Sequence, residues 1–167
     1  MNTDTNQVKQ NSRMNIFDRL ILMVAQGFGL GRIPVAPGTF GTLAAIPLIW
    51  LMAWLDPGLM AFFLVGLILL SIYVADRAEI FIGEKDPGSI VIDEIAGFCV
   101  TMTLVPVGWA SIVLGFVAFR CFDIFKPVPV KYFENKFSGG AGIVLDDIMA
   151  GVLAALVLKF LYIAGLF

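Results

Sequence analysis

An all-α, polytopic membrane helix bundle is the fold class that this sequence predicts, with about four to five spanning or re-entrant helices and an N-terminal interfacial helix. Three observations predict it. First, 59% of the residues are hydrophobic and only 14% charged, with a mean hydropathy of +0.93; soluble domains run near about 25% charged. Second, Ile33 to Leu55 and Pro57 to Ala75 contain no charged residue at all. Third, ten of the eleven lysines and arginines fall on one side of the arrangement those apolar runs imply.

The elements follow in order. Residues 1–13 read as a disordered polar tail, and no secretory signal is expected there because no cleavage pattern follows an early apolar segment. Residues 14–167 read as one membrane-embedded domain. Residues 14–30 carry apolar side chains at helical spacing with Asp18 and Arg19 near the start, which suits a helix at the interface. Residues 29–42 are dense in Gly and Pro and read as irregular backbone. A first span runs from near Thr39 to the turn at 56–58, interrupted by Pro47. A second runs from Pro57 to Ala75 and is followed by a polar loop over 76–89. A third occupies Ile90–Val105 and breaks at 106–108; a fourth covers Trp109 to about Phe125. A polar loop over 126–142 leads to a fifth, from Ile143 to the C-terminus.

Orientation follows from the cations. Lys9, Arg13, Arg19, Arg32, Arg77, Lys85, Arg120, Lys126, Lys131 and Lys136 share one side, and only Lys159 lies toward the other, where it can snorkel. The cation-rich side is therefore expected to be cytoplasmic. Asp93 and Glu94 lie just over a dozen residues before Pro106, and Asp123 lies a similar distance after Trp109. At 1.5 Å per residue each is roughly 20 Å from the same far turn, against about 30 Å for a full crossing. Asp146 and Asp147 begin the last span near the same level. Five carboxylates on three helices are thus expected in one layer below the headgroups, where like charges repel unless protonated or neutralised.

The chain has no histidine, which removes His-bearing zinc sites and His general bases. A metal would be held by oxygen, which suits magnesium, manganese or calcium. A net charge of −2 gives no electrostatic case for nucleic acid. Cys99 and Cys121 both sit in apolar stretches and read as small buried residues. The segments "VIDEIAG" (91–97) and "VLDDIMAG" (144–151) echo each other. Each places paired acids at the start of a helix with a glycine one turn on, and such glycines let helices approach closely. Arg120 precedes Asp123 by three residues, so the two share a helix face as an ion pair, as a fork for phosphate oxygens, or as both. "APGTFGT" (36–42) could offer Thr39 and backbone amides to an anion, although taken singly a plain turn explains it better. The same holds for "SGGAG" (138–142).

Four ordered stretches, "GLGRIPVAPGTFGTLAAIP", "GSIVIDEIAGF", "FRCFDIFKPVPVKYFE" and "GGAGIVLDDIMAG", together resemble the phosphatidylglycerophosphatase A family of bacterial membrane phosphatases over nearly the whole chain after the tail. The resemblance implies a magnesium-dependent hydrolase of phospholipid biosynthesis in the bacterial inner membrane. Its substrate would be phosphatidylglycerophosphate in the bilayer, and its products phosphatidylglycerol and inorganic phosphate. By the same resemblance the acidic motifs fall on Asp93, Glu94, Asp123, Asp146 and Asp147, the basic motif on Arg120 and Lys126, and the Pro-Gly-Thr motif on Pro37, Gly38 and Thr39. Ile33 and Thr42 stand where serine is common, Glu134 where aspartate is frequent and Ser138 where histidine can occur, which sets Ile33 and Ser138 outside the expected catalysts.

Other phosphate chemistries lack their residues here. No Cys-x5-Arg loop exists, because Val105 and Pro127 stand where the arginine would be, and no Asp-x-Asp nucleophile motif is present. Metal-assisted hydrolysis remains. The five acids would supply Mg2+ ligands, with Arg120 and Lys126 stabilising developing charge and Gly38, Thr39 and nearby amides assisting. One acid acting as general base or as a covalent nucleophile stays open. Two competitors stand beside this reading. An ion transporter needs carboxylates reachable from both faces, whereas these lie toward one. The other is a different lipid-headgroup enzyme, a lipid monophosphatase or an alcohol phosphotransferase, and the long Asp-Gly…Ala-Arg signature of the latter is absent.

Overall fold

The computed structural model describes residues 15–167, so the expected polar tail lies outside the described residues. Those residues form eight α-helices and no strand. Helix α1 (Ile16–Ala25) starts at a reciprocal cap: Asn15 Oδ1 accepts from the Asp18 amide at 2.8 Å, and Asp18 Oδ2 accepts from the Asn15 amide at 3.3 Å. A 3₁₀ segment (Gly27–Arg32) follows. The expected irregular stretch then ends early, because Pro37 opens α2 (Pro37–Ala44) from the first helical position, where its missing N–H costs nothing. Helix α3 (Ile46–Met52) continues it after a break at Ala45, just ahead of Pro47.

Helix α4 (Pro57–Ile82) is capped by Asp56, whose Oδ1 accepts from the Gly58 and Leu59 amides at 2.9 and 3.1 Å. It overruns the expected loop at 76–89 by two turns. Polarity alone does not end a helix, and "DRAEIFI" is made of residues that tolerate one. Gly83, in the left-handed conformation at φ 76°, is the first terminator. Helix α5 (Ile92–Thr101) runs into a 3₁₀ turn at Met102–Leu104. Helix α6 (Trp109–Phe125) matches its expected bounds. The expected loop at 126–142 contains α7 (Val128–Lys136). Helix α8 (Gly140–Ile163) begins a turn earlier than expected, anchored where the Gly140 amide donates to Asp76 Oδ1 at 3.1 Å. Asp146 and Asp147 therefore sit in its second turn rather than at its N-terminus.

Two of these helices, α4 and α8, are individually long and apolar enough to cross a membrane; the other expected spans are shorter. The most apolar stretch of α4 is only 17% buried, with Leu59, Phe62, Val65 and Leu69 facing outward, an exposure that suits lipid rather than water.

The core forms where α5 packs on α8, with α4, α6 and α7 also against α8. Gly97 and Gly151 meet at the crossing. A Cβ on Gly151 would stand 2.3 Å from the Gly97 carbonyl oxygen, and a Cβ on Gly97 would stand 2.7 Å from the Asp147 carbonyl oxygen. The Thr101 hydroxyl donates to the Gly97 carbonyl at 3.1 Å and reaches the Gly151 carbonyl at 3.4 Å, stitching the two backbones together. Phe98 and Phe119, fully buried with ring centroids 6.0 Å apart, fill the space beside them. Gly151→Ala is expected to destabilise the protein by about 1–3 kcal/mol through overpacking. Gly66→Ala, where an added Cβ meets nothing within 4 Å, is expected to be neutral or slightly stabilising. Thermal unfolding of both variants in detergent checks the contrast.

Candidate active site

The acidic layer is built from the first turn of α5 and the second turn of α8. The start of α5 is pinned from outside: the Val91 amide donates to the Ala25 carbonyl at 2.9 Å, and the Ile90 amide to the Pro87 carbonyl at 2.9 Å. That leaves Asp93 and Glu94 on the inner side, opposite Asp147. One carboxylate oxygen from each of these three lies within 4.8 Å of the others. Asp93 is 8% exposed and Asp147 4%. Asp93 Oδ1, Glu94 Oε2 and Asp147 Oδ2 are buried and accept no hydrogen bond.

Arg120 of α6 braces this cluster from one side. Arg120 donates a short hydrogen bond to Asp123 Oδ2 on its own helix, and its Nη1 stands 3.9 Å from Glu94 Oε1. Glu94 thus meets Asp93 on one side and Arg120 on the other. Gly38 of α2 lies directly over that ion pair: a Cβ there would stand 2.2 Å from Glu94 Oε1 and 3.1 Å from both terminal nitrogens of Arg120. The Thr42 hydroxyl holds this turn by donating to the Gly38 carbonyl at 2.8 Å. Thr39 is half-buried on the same turn.

Asp146 points elsewhere. Its Oδ2 accepts from Lys126 Nζ at 2.7 Å and its Oδ1 from the Asp147 amide at 3.0 Å. It faces a small recess lined by Glu79, Lys85, Asp86 and Ser138. So the five expected ligands divide. Asp93, Glu94 and Asp147 converge; Asp123 stands behind them with Arg120; Asp146 is held by Lys126. Asp76, which anchors the start of α8 and so sets the level of Asp147, carried no signal because it reads as part of a polar loop.

Three turns on this side of the bundle are strained. Ala36, Asp86 and Lys126 adopt left-handed φ values of 49°, 47° and 41°, and each directly precedes a proline. Such conformations cost of order 1–3 kcal/mol each and persist only where the surrounding structure imposes them. They set the entries to α2, α5 and α7.

The cluster fits a hard divalent cation. Unpartnered buried carboxylate oxygens are costly, and like charges this close repel. Opposite ligands of an octahedral magnesium lie about 4.2 Å apart, so three oxygens within 4.8 Å of one another can face a single ion. All-oxygen donors select such ions over softer metals.

The family model described as phosphatidylglycerophosphatase A matches residues 23–162. The chain is similar to the phosphatidylglycerophosphatase A of Escherichia coli K12, at 40% identity over 140 residues covering 83% of this chain and 81% of that protein. It is similar to the protein of the same name from Haemophilus influenzae Rd, at 37% identity over 157 residues covering 93% and 94%. A Bacteroides thetaiotaomicron protein, provisionally named as a phosphatidylinositol-3-phosphatase, is 35% identical over 146 residues, covering 80% of this chain and 87% of its own. No solved structure matches.

Lys126→Met removes the partner of a nearly buried carboxylate and is expected to destabilise the protein by up to about 3 kcal/mol. Adding Asp146→Asn is expected to recover most of that loss, which a double-mutant cycle on thermal unfolding measures.

Proposed function

The chain belongs to the phosphatidylglycerophosphatase A family, and on that premise we propose that it removes the terminal phosphate of phosphatidylglycerophosphate, giving phosphatidylglycerol and inorganic phosphate in phospholipid biosynthesis. The observation that carries the reading is the convergence of Asp93, Glu94 and Asp147 with three unpartnered oxygens, beside an arginine held in place by Asp123.

Asp93, Glu94 and Asp147 would hold Mg2+, with Asp123 and Asp146 supporting them. A divalent cation there supplies charge neutralisation for the phosphomonoester and favours ionisation of water. Arg120 already has its guanidinium oriented by Asp123, so its planar fork can meet phosphoryl oxygens without first being ordered. The close approach of Gly38 lets the backbone of α2 form the wall above Arg120, with Thr39 on the same turn. Lys126, seated on Asp146, adds positive charge at the end of α6. In the hydrolysis, water adds to phosphorus and the bond to the glycerol oxygen breaks. Without a histidine, one of the carboxylates would take the proton released by the water and pass it to the glycerol oxygen, which leaves as the alcohol.

The setting suits a lipid substrate. We place the protein in the bacterial cytoplasmic membrane as a multi-pass protein with the acidic layer toward the cytoplasm, on the strength of the cation asymmetry. The acyl chains then stay in the bilayer while the headgroup reaches acids just below the interface. The Bacteroides relative favours a second reading, a monophosphatase of another lipid headgroup. A thin-layer assay across phosphatidylglycerophosphate, phosphatidate and CDP-lipid separates the two.

Asp147→Asn is expected to remain folded and to lose at least about a hundredfold of magnesium-dependent phosphate release. Wild-type turnover in that variant, or in excess chelator, would overturn the proposal. Because the substitution also removes a like charge, metal-free Asp147→Asn is expected to melt no lower than metal-free wild type. Magnesium is expected to raise the melting temperature of wild type alone.

A further inference from the structure

Arg120 and Lys126 are both offset by carboxylates, Asp123 with Glu94 in one case and Asp146 in the other. Arg32 is not. Its Nε donates to Gln26 Oε1 at 2.7 Å, a neutral acceptor, and it makes no ion pair among the described residues. Gln26 is 7% exposed, and its amide nitrogen reaches the Ser89 hydroxyl at 3.4 Å. The Gln26 carbonyl also accepts from the Gly29 and Gly31 amides, both at 3.0 Å, which closes the loop that carries Arg32. The arrangement orients one edge of a guanidinium while leaving its full charge uncompensated on an exposed side chain.

The position is as specific as the orientation. Gly31, next in the chain, is pressed on the segment leading into α5: a Cβ there would stand 2.0 Å from the Ser89 carbonyl oxygen. Gly41 of α2 abuts Val91, two residues before Asp93. Arg32 therefore lies beside the segment that leads into α5 and its two acids, on the loop that leads to Gly38.

We infer that Arg32 recognises the phosphodiester of a lipid that presents a phosphomonoester to the acidic cluster; the inference rests on the phosphatase reading above. Phosphatidylglycerophosphate carries both groups, one glycerol unit apart. A guanidinium fork pairs with two phosphate oxygens at once, and an arginine with no carboxylate partner has nothing to release first. Arg32 would then distinguish lipids carrying a diester from phosphatidate, whose single phosphate is attached directly to diacylglycerol. Gln26 is a positioning residue that acts through Arg32.

The test compares wild type, Arg32→Gln, Arg32→Lys and Gln26→Leu in mixed micelles containing phosphatidylglycerophosphate or phosphatidate. Arg32→Gln is expected to raise KM for phosphatidylglycerophosphate about tenfold, the worth of one charged hydrogen-bonded contact. Its kcat and its KM for phosphatidate are expected to move by less than about twofold, because phosphatidate has no diester to lose. Gln26→Leu is expected to move KM the same way by less, and Arg32→Lys to recover part of it. An unchanged KM for phosphatidylglycerophosphate, or equal losses on both lipids as a general membrane contact would give, overturns the assignment. Wild type that hydrolyses neither lipid would instead refute the phosphatase reading. Retention of phosphatidylglycerol, a diester without a monoester, in native mass spectrometry tests Arg32 without turnover: loss in Arg32→Gln supports it, and equal retention overturns it.

Discussion

The crossing of α5 and α8 at Gly97 and Gly151 is the constraint on which the site depends. In each helix the glycine follows an aspartate by four residues: Asp93 before Gly97, Asp147 before Gly151. Residues four apart share a helix face, so the face that makes the close contact is also the face that carries the acid. With the glycines touching and the helices running in the same direction, Asp93 and Asp147 meet one turn away without further arrangement. The echo between the two motifs thus aligns on the glycines, not on the acid pairs. In that alignment Glu94 is displaced one residue after Asp93, whereas Asp146 is displaced one residue before Asp147. Adjacent helical residues diverge by about 100°. Glu94 accordingly turns toward Arg120 and joins the cluster, while Asp146 turns the opposite way, to Lys126.

Charge accounting then orders the rest. Four carboxylates, from Asp93, Glu94, Asp123 and Asp147, share a buried region with one guanidinium. Arg120 satisfies Asp123 and part of Glu94, which leaves oxygens on the other acids without a hydrogen-bond donor. In a low-dielectric setting such oxygens need a cation or protons, and a hard divalent ion is the neutraliser we propose. The same economy separates Arg32 from the other two cations: a neutral glutamine orients it and leaves its charge available.

Legibility differed by element for physical reasons. Helix α6 could be bounded closely because Gly108 precedes it and the Lys126–Pro127 step closes it. The two polar stretches misled because charge density marks water or headgroup contact, not the end of a helix. Asp76, Arg77 and Glu79 extend α4 to Gly83, and α7 forms within a segment that reads as a loop. Asp76 in turn starts α8 early by accepting from the Gly140 amide, a contact 64 residues apart in the chain that local pattern cannot register.

The sequence by itself determined the apolar class of the fold, the separate helices that carry acids, the common level of those acids and the family to which the motifs belong. Hydropathy, helical rise and residue order suffice for these, because each is a property of one segment measured along its own axis. Only the tertiary structure decided which carboxylates face one another, which one Lys126 takes, and that Gln26 and Ser89 hold Arg32. Those outcomes depend on how far each helix is rotated about its axis, and that rotation is set by side chains and glycines on neighbouring helices.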